Sequence, residues 1–112
     1  QTLSSMNNAS DKRPLIIYAE GDFMIYADIT DRYQRLINPA EEVYDGDSVL
    51  VEYGHNKNIA VKRIYWLNGS VIEIRSANGD GWKRTFTIEE QREGLLRIIG
   101  KVVWYGNKPK RG

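Results

Sequence analysis

The sequence predicts a mainly β domain, and three observations carry that reading. Short apolar runs of strand composition recur along the chain, beginning with Leu15-Ile16-Ile17-Tyr18. Asn68-Gly69 stands between two such runs, and this pair is the strongest short hairpin signal, because a type I′ turn needs positive φ at both central residues. Helical periodicity is scarce, with no apolar stripe kept up over about a dozen residues. The expected architecture is a set of curled strands or two packed sheets with at most short helical turns.

The elements follow in order. The polar stretch from Gln1 to Arg13, crowded with Ser4, Ser5, Asn7, Asn8 and Ser10, reads as a flexible linker, because it buries too little to offset its ordering entropy. The chain opens at Gln1 without methionine, so we expect further sequence on its N-terminal side. Residues 14–106 read as the folded domain and 107–112 as a short basic tail. Asp28 to Leu36 could supply one helical turn. After the Asp45-Gly46-Asp47 turn, Val49, Val51 and Tyr53 alternate with Ser48, Leu50 and Glu52, which is strand patterning. Ile59 to Leu67 and Val71 to Arg75 flank the Asn68-Gly69 turn. Asn78-Gly79-Asp80-Gly81 marks another turn, and Trp82 to Ile88 returns as a strand. Thr87 followed three residues later by Glu90 has the form of a capping box before a short helical turn. Ile98 to Tyr105 closes the fold.

The bulk properties exclude several classes. The 112 residues suit one domain, large enough for a real core. Sixteen basic against fifteen acidic residues leave a net charge of +1, which gives no drive towards nucleic acid or an anionic membrane. Without cysteine there is no disulfide, thiolate metal site or cysteine nucleophile. No apolar run approaches the roughly 20 residues of a membrane-spanning helix. A cytoplasmic setting is the expectation.

One constellation carries chemistry. Gly21-Asp22-Phe23-Met24 is followed downstream by Ala60-Val61-Lys62-Arg63-Ile64. Between them stand Arg35-Leu36-Ile37-Asn38-Pro39 and Asp45-Gly46-Asp47-Ser48-Val49-Leu50-Val51. After them come Ile72-Glu73-Ile74-Arg75-Ser76-Ala77-Asn78 and Ile98-Ile99-Gly100-Lys101-Val102-Val103-Trp104. In this order the segments resemble the C-terminal domains of LexA and the phage repressors, the self-cleaving Ser-Lys peptidases, over almost the whole chain. The resemblance implies a LexA-like β-clip fold and a dyad at positions 23 and 62. In such a dyad, a lysine among apolar groups loses its proton more easily and can then take the serine's. Here Phe23 stands where the serine would be, and Ile25-Tyr26 replaces the usual acidic-Pro pair. No Ala-Gly or Cys-Gly cleavage dipeptide occurs between Gln1 and Glu20. A phenyl ring supplies no oxygen nucleophile, so the expectation is a non-enzymatic domain with vestigial dyad positions Phe23 and Lys62. We expect Lys62 to pack its methylenes near Phe23 and to reach with its ammonium for solvent or a carboxylate.

The function implied is that of an oligomerisation and regulatory domain in a phage-type (prophage) transcriptional repressor. It would join DNA-binding domains that lie outside this chain. The resemblance places self-association on the closing strand, at Arg97, Ile98, Ile99, Lys101, Val102, Val103, Trp104 and Tyr105. A terminal strand with alternating apolar residues suits pairing with a second copy. A repressor that does not cut itself needs another route of relief, and an antirepressor protein is the expected partner. No cofactor, metal or membrane contact is expected. Two other readings stay open: a self-cleaving parent whose serine was substituted in this chain, and a small β-barrel nucleic-acid binder.

Other polar residues have simpler explanations. Ser48, in a Gly-Asp-Ser-Val imitation of the lost box, is expected to be a strand hydroxyl. His55, the only histidine, sits in a polar loop without obvious partner ligands. Asp45 and Asp47 follow turn chemistry. The three tryptophans and seven tyrosines are expected in core or interface rather than stacked on bases.

Overall fold

Among the described residues, eight strands and one helical turn follow one another as β1 (Leu15–Tyr18), β2 (Met24–Ala27), β3 (Gln34–Asn38), β4 (Ser48–Tyr53), β5 (Asn58–Trp66), β6 (Ile72–Arg75), β7 (Lys83–Phe86), α1 (Ile88–Arg92) and β8 (Leu96–Gly106). The structure is a computed structural model and describes residues 15–18, 23–27 and 34–106. The expected linker at 1–13 and tail at 107–112 lie outside the described residues. All eight strands join one antiparallel sheet in the order β1-β2-β3-β8-β4-β5-β6-β7.

The alternation read at Ser48 to Tyr53 has a stronger outcome than one buried face. Val49, Leu50 and Val51 are all fully buried. Successive strand side chains point to opposite faces, so both faces of β4 are covered. Val49 and Val51 join Ile64, Ile72, Ile74, Phe86, Leu95 and Leu96 in one core. Leu50 joins Met24, Tyr26, Ile37 and Val102 in a second core on the opposite face. A single sheet achieves this only if its two ends curl towards opposite sides of its centre. Each fully buried aliphatic side chain contributes about 1.5–3 kcal/mol relative to exposure, so the curl is driven from both sides.

The curl is built into β8. Against β4 its register runs Leu50↔Gly100 and then Val51↔Ile98, leaving Ile99 as an extra residue. Against β3 it runs Leu36↔Trp104 and then Ile37↔Val102, leaving Val103 extra. Each bulge bends the strand and increases its twist. Gly100 lies between the two bulges, where a Cβ would sit 2.6 Å from Ile37 Cγ2 and 2.9 Å from Pro39 Cα. The Asn38-Pro39 exit from β3 crosses β8 at that point, and only a hydrogen fits beneath it.

Turn chemistry sets the remaining corners. At Asp45-Gly46-Asp47, the Tyr44 N–H donates to Asp47 Oδ2 (2.7 Å) and the Trp66 N–H donates to Asp45 Oδ1 (2.9 Å), so both carboxylates serve the backbone. The Thr87 capping box forms as expected: the Glu90 N–H donates to Thr87 Oγ1 (3.2 Å) and the Thr87 N–H to Glu90 Oε1 (2.9 Å). Two expectations are corrected. The Asn68-Gly69 hairpin exists, but Val71 N–H bonds Asn68 C=O, so Gly69 is the first central residue of the turn and alone has positive φ (+60°). That is the type II′ pattern rather than I′. Of the helical turn expected over Asp28 to Leu36, the described part from Gln34 onwards is strand, because Leu36 is paired between Ile25 and Trp104.

Gly100→Ala is expected to destabilise the chain by about 1–3 kcal/mol, the range for forcing atoms into a packed site. Urea unfolding measures it. An unchanged midpoint would show that the β3 exit and β8 separate without cost.

Candidate functional site

Lys62 lies in the middle of β5, opposite Val49 of β4. It shares a face with Ile64 and Trp66 and stands where the first core opens to solvent. Its ammonium sits 4.2 Å from the centroid of the Trp82 ring. That indole is in turn tilted against Tyr53, with centroids 5.6 Å apart. A cation over an indole face is attracted by the ring quadrupole. Among the described residues, Lys62 has no carboxylate within ion-pair distance. Burial pushes its pKa below the ordinary lysine value, and the charge of Asp80 partly opposes this.

Asp80 is itself engaged in the turn that leaves β6. Its Oδ1 accepts the Trp82 N–H (2.9 Å), and that bond is the main reason its carboxyl titrates below the usual range. In the same turn Ser76 Oγ donates to Asn78 Oδ1 (2.7 Å), and Asn78 Oδ1 accepts the Asp80 N–H (3.1 Å). These short side-chain bonds fold the segment from Ser76 to Trp82 back towards Lys62.

A cleft of about 200 Å³ opens beside Lys62, lined by Tyr26, Arg35, Ala60, Val61, Lys62, Ser76, Ala77 and Asn78. Its origin is a mismatch of strand lengths. β5 pairs with β4 from Asn58 to Arg63, but β6 pairs with β5 only from Arg63 to Trp66. The β6-side edge of Ala60, Val61 and Lys62 is therefore uncovered among the described strands, and the Ser76–Asn78 turn stands off from it. The facing wall is a cross-strand pair, Tyr26 and Arg35. The Arg35 guanidinium lies between two rings, 6.0 Å from the centroid of Tyr26 and 5.9 Å from that of Tyr105.

The expected site residues are only partly brought together. Phe23 immediately precedes β2 and is half-buried, but it is not among the described residues that line this cleft. Tyr26 of β2 takes that place. The Lys62 ammonium meets an indole, where a carboxylate or solvent was expected. Ser48 pairs with Arg63, and strand alternation puts it on the face of β4 opposite Lys62. Ser76 does share the cleft with Lys62, with its hydroxyl proton directed to Asn78. His55 is exposed, and the described residues hold no cluster of three potential metal ligands. Tyr26, Arg35, Trp82, Ser76 and Asn78 were not singled out as site residues. Only the Asn-Gly-Asp-Gly run hinted that a tight turn would bring Trp82 back against the sheet.

The closing strand also differs from its expected setting. β8 is the last of the described strands but interior in the sheet, with β3 on one edge and β4 on the other. Pairing edge to edge with a second copy is closed along that length. Ile98 packs on the first core, Ile99 and Val102 belong to the second, and Lys101 bridges to Asp47 at 3.1 Å. Arg97 reaches Glu52 at 3.2 Å from an exposed position. Val103 and Tyr105 are 43% and 56% exposed. Trp104 is half-buried, and its indole lies over Gly106, in the space a Cβ there would need. Trp104 pairs with Leu36 and Leu36 with Ile25, giving a half-buried apolar ladder across three strands outside both cores.

No described helix is long and apolar enough to cross a membrane. Comparison with protein-family models and with curated proteins finds no match.

The depressed Lys62 pKa sets a sign for pH dependence. Between its folded value and the unfolded value of about 10.4, the unfolded chain binds the extra proton, so this group adds stability as pH rises. The urea midpoint of the wild type is expected to gain on that of Lys62→Met from neutral to alkaline pH. A constant difference between the two would contradict the burial of the ammonium.

Proposed function

We propose that the chain is a non-cleaving oligomerisation and regulatory domain of a phage-type transcriptional repressor, with a LexA-like β-clip fold. In this reading it links DNA-binding domains that lie outside the chain and is relieved by an antirepressor protein. The observation that carries it is the half-buried apolar ladder Ile25–Leu36–Trp104, which lies outside both cores. Contiguous apolar surface outside a core is what self-association buries. The ladder also runs through the segment where the family resemblance puts the dimer contact, although it offers a sheet face and not a strand edge. Tethering two DNA-binding domains raises apparent operator affinity through effective concentration, without any DNA contact by the tether.

Loss of cleavage fits the same reading. Phe23 leads into β2 with a phenyl ring, and Lys62 spends its charge on Trp82. A general base needs an oxygen nucleophile within hydrogen-bond reach, and the position expected to supply one holds hydrocarbon.

Light scattering over a concentration series is expected to give a mass of twice the 12.9 kDa chain, falling towards one chain for Trp104→Ala with Leu36→Ser. A strict monomer at the highest concentration reached would remove the assembly reading. Fragmentation of the full-length protein by RecA filaments, or at alkaline pH, would remove the non-cleaving part of it.

A further inference from the structure

We infer that the outer face of β5, β6 and β7 is an interaction surface for an acidic segment of a protein partner. Strand register builds it. Arg63 of β5 lies directly opposite Arg75 of β6, and Arg75 lies directly opposite Lys83 of β7. Directly opposed residues share a face, so three cations form a row across three strands, with steps of about 4.8 Å. Ser48 of β4 extends the row on the other side of Arg63. Ile64, Ile74 and Phe86 alternate with the row and belong to the first core, so the row faces away from that core. Arg63 and Lys83 are exposed, and the Arg75 side chain is 43% exposed.

Folding alone does not call for such a row, because like charges directly opposite one another destabilise a sheet. Among the described residues, neither Arg63 nor Lys83 has a carboxylate within ion-pair distance. The next register row, Tyr65–Glu73–Thr85, supplies one acid, and Glu73 is buried. Its Oε1 accepts from Arg75 Nε at 2.6 Å, while the Arg75 guanidinium lies 3.8 Å from the centroid of the Tyr65 ring. Arg63 Nη1 donates to the Gly46 C=O at 3.1 Å. These contacts hold both guanidinium groups in place and engage only part of their N–H donors. Cations already held in place lose less freedom on binding. Guanidinium geometry suits carboxylate and phosphate alike, and two observations favour carboxylates on a protein. A single nucleic-acid strand needs open aromatic faces for stacking, and on this face Tyr65 is covered by Arg75. The net charge of +1 supplies no wider field for a phosphate backbone. In an extended acidic segment, alternate side chains fall about 6.6 Å apart on one face, so two carboxylates fit within a row about 10 Å long.

Identifying that partner with the relieving protein rests on the proposed function, whereas binding of an acidic segment to the row does not. The experiment is an amide-shift titration of the isotope-labelled chain at neutral pH and low salt. The probes are an alternating Glu-Ser peptide, a Gln-Ser peptide of the same length and a short DNA duplex. The Glu-Ser peptide is expected to give saturable shifts at Arg63, Tyr65, Arg75, Lys83 and Thr85, and the Gln-Ser peptide none. Arg63→Gln and Lys83→Gln should each weaken binding about threefold, the size of one exposed ion pair, and together about tenfold. Lys57→Gln removes the same charge from the turn at the far end of β5 and should leave binding unchanged. Arg63→Lys should bind where Arg63→Gln is weakened, and Lys83→Gln should keep or raise the urea midpoint, which separates lost binding from lost folding. Shifts spread evenly over exposed cations such as Lys57 and Arg92, or affinity unchanged in the double variant, overturn the proposal. Saturation by the duplex at lower concentration than by the Glu-Ser peptide overturns the choice of a protein partner. Masses from light scattering on the same samples report assembly independently, so failure of this surface and failure of the assembly reading are distinguishable.

Discussion

Burial of β4 on both faces is the constraint on which the rest of the structure depends. With Val49 and Val51 in one core and Leu50 in the other, the sheet has no solvent side at its centre. The strands on either side must therefore wrap in opposite directions, and β8 must serve both halves. Its bulges at Ile99 and Val103 reconcile the two registers, and Gly100 lets the β3 exit pass across them. The cleft is a by-product of the same geometry. As the sheet curls, β6 stops short of the start of β5, and the gap that opens is bordered by Tyr26 and Arg35 from the other half.

Much of this was legible in local pattern. Ser48 to Tyr53 alternates plainly, the Asp45-Gly46-Asp47 turn and the Thr87 capping box formed as their chemistry dictates, and β5, β6 and β7 fall within a few residues of where the sequence put them. The failures are those of non-local structure. Alternation cannot show that Leu50, on the face opposite Val49 and Val51, is as fully buried as they are, because Leu50 is covered by strands from the far end of the sheet. The Asn68-Gly69 signal located the hairpin, yet the closing bond to Val71 moved Gly69 to the first central position. At Gln34 to Leu36, pairing with β2 and β8 overrode a weak local preference, as tertiary context commonly does.

The site was harder to read. Position 62 stood out through a motif, but its partner Trp82 is brought in by a turn whose shape depends on Asn78 and Asp80 bonding their own backbone. Tyr26 and Arg35 carry no spacing signal, since their meeting is a matter of strand register. The terminal position of β8 in the chain suggested a terminal position in the sheet. Chain order does not fix strand order, and here the final strand is inserted between β3 and β4.

That insertion bears on how the chain reaches its fold. Until β8 arrives, β3 and β4 are not neighbours, and each keeps one unpaired edge in a partly made sheet. Neither half can close before β8 is in place, because each relies on that strand for a ladder of hydrogen bonds. Pairings such as Leu36 with Trp104 span most of the chain, and loop closure over such distances slows folding. During synthesis the growing chain therefore carries two exposed strand edges until the segment from Leu96 onwards emerges. Those edges are open to pairing with other chains over that interval.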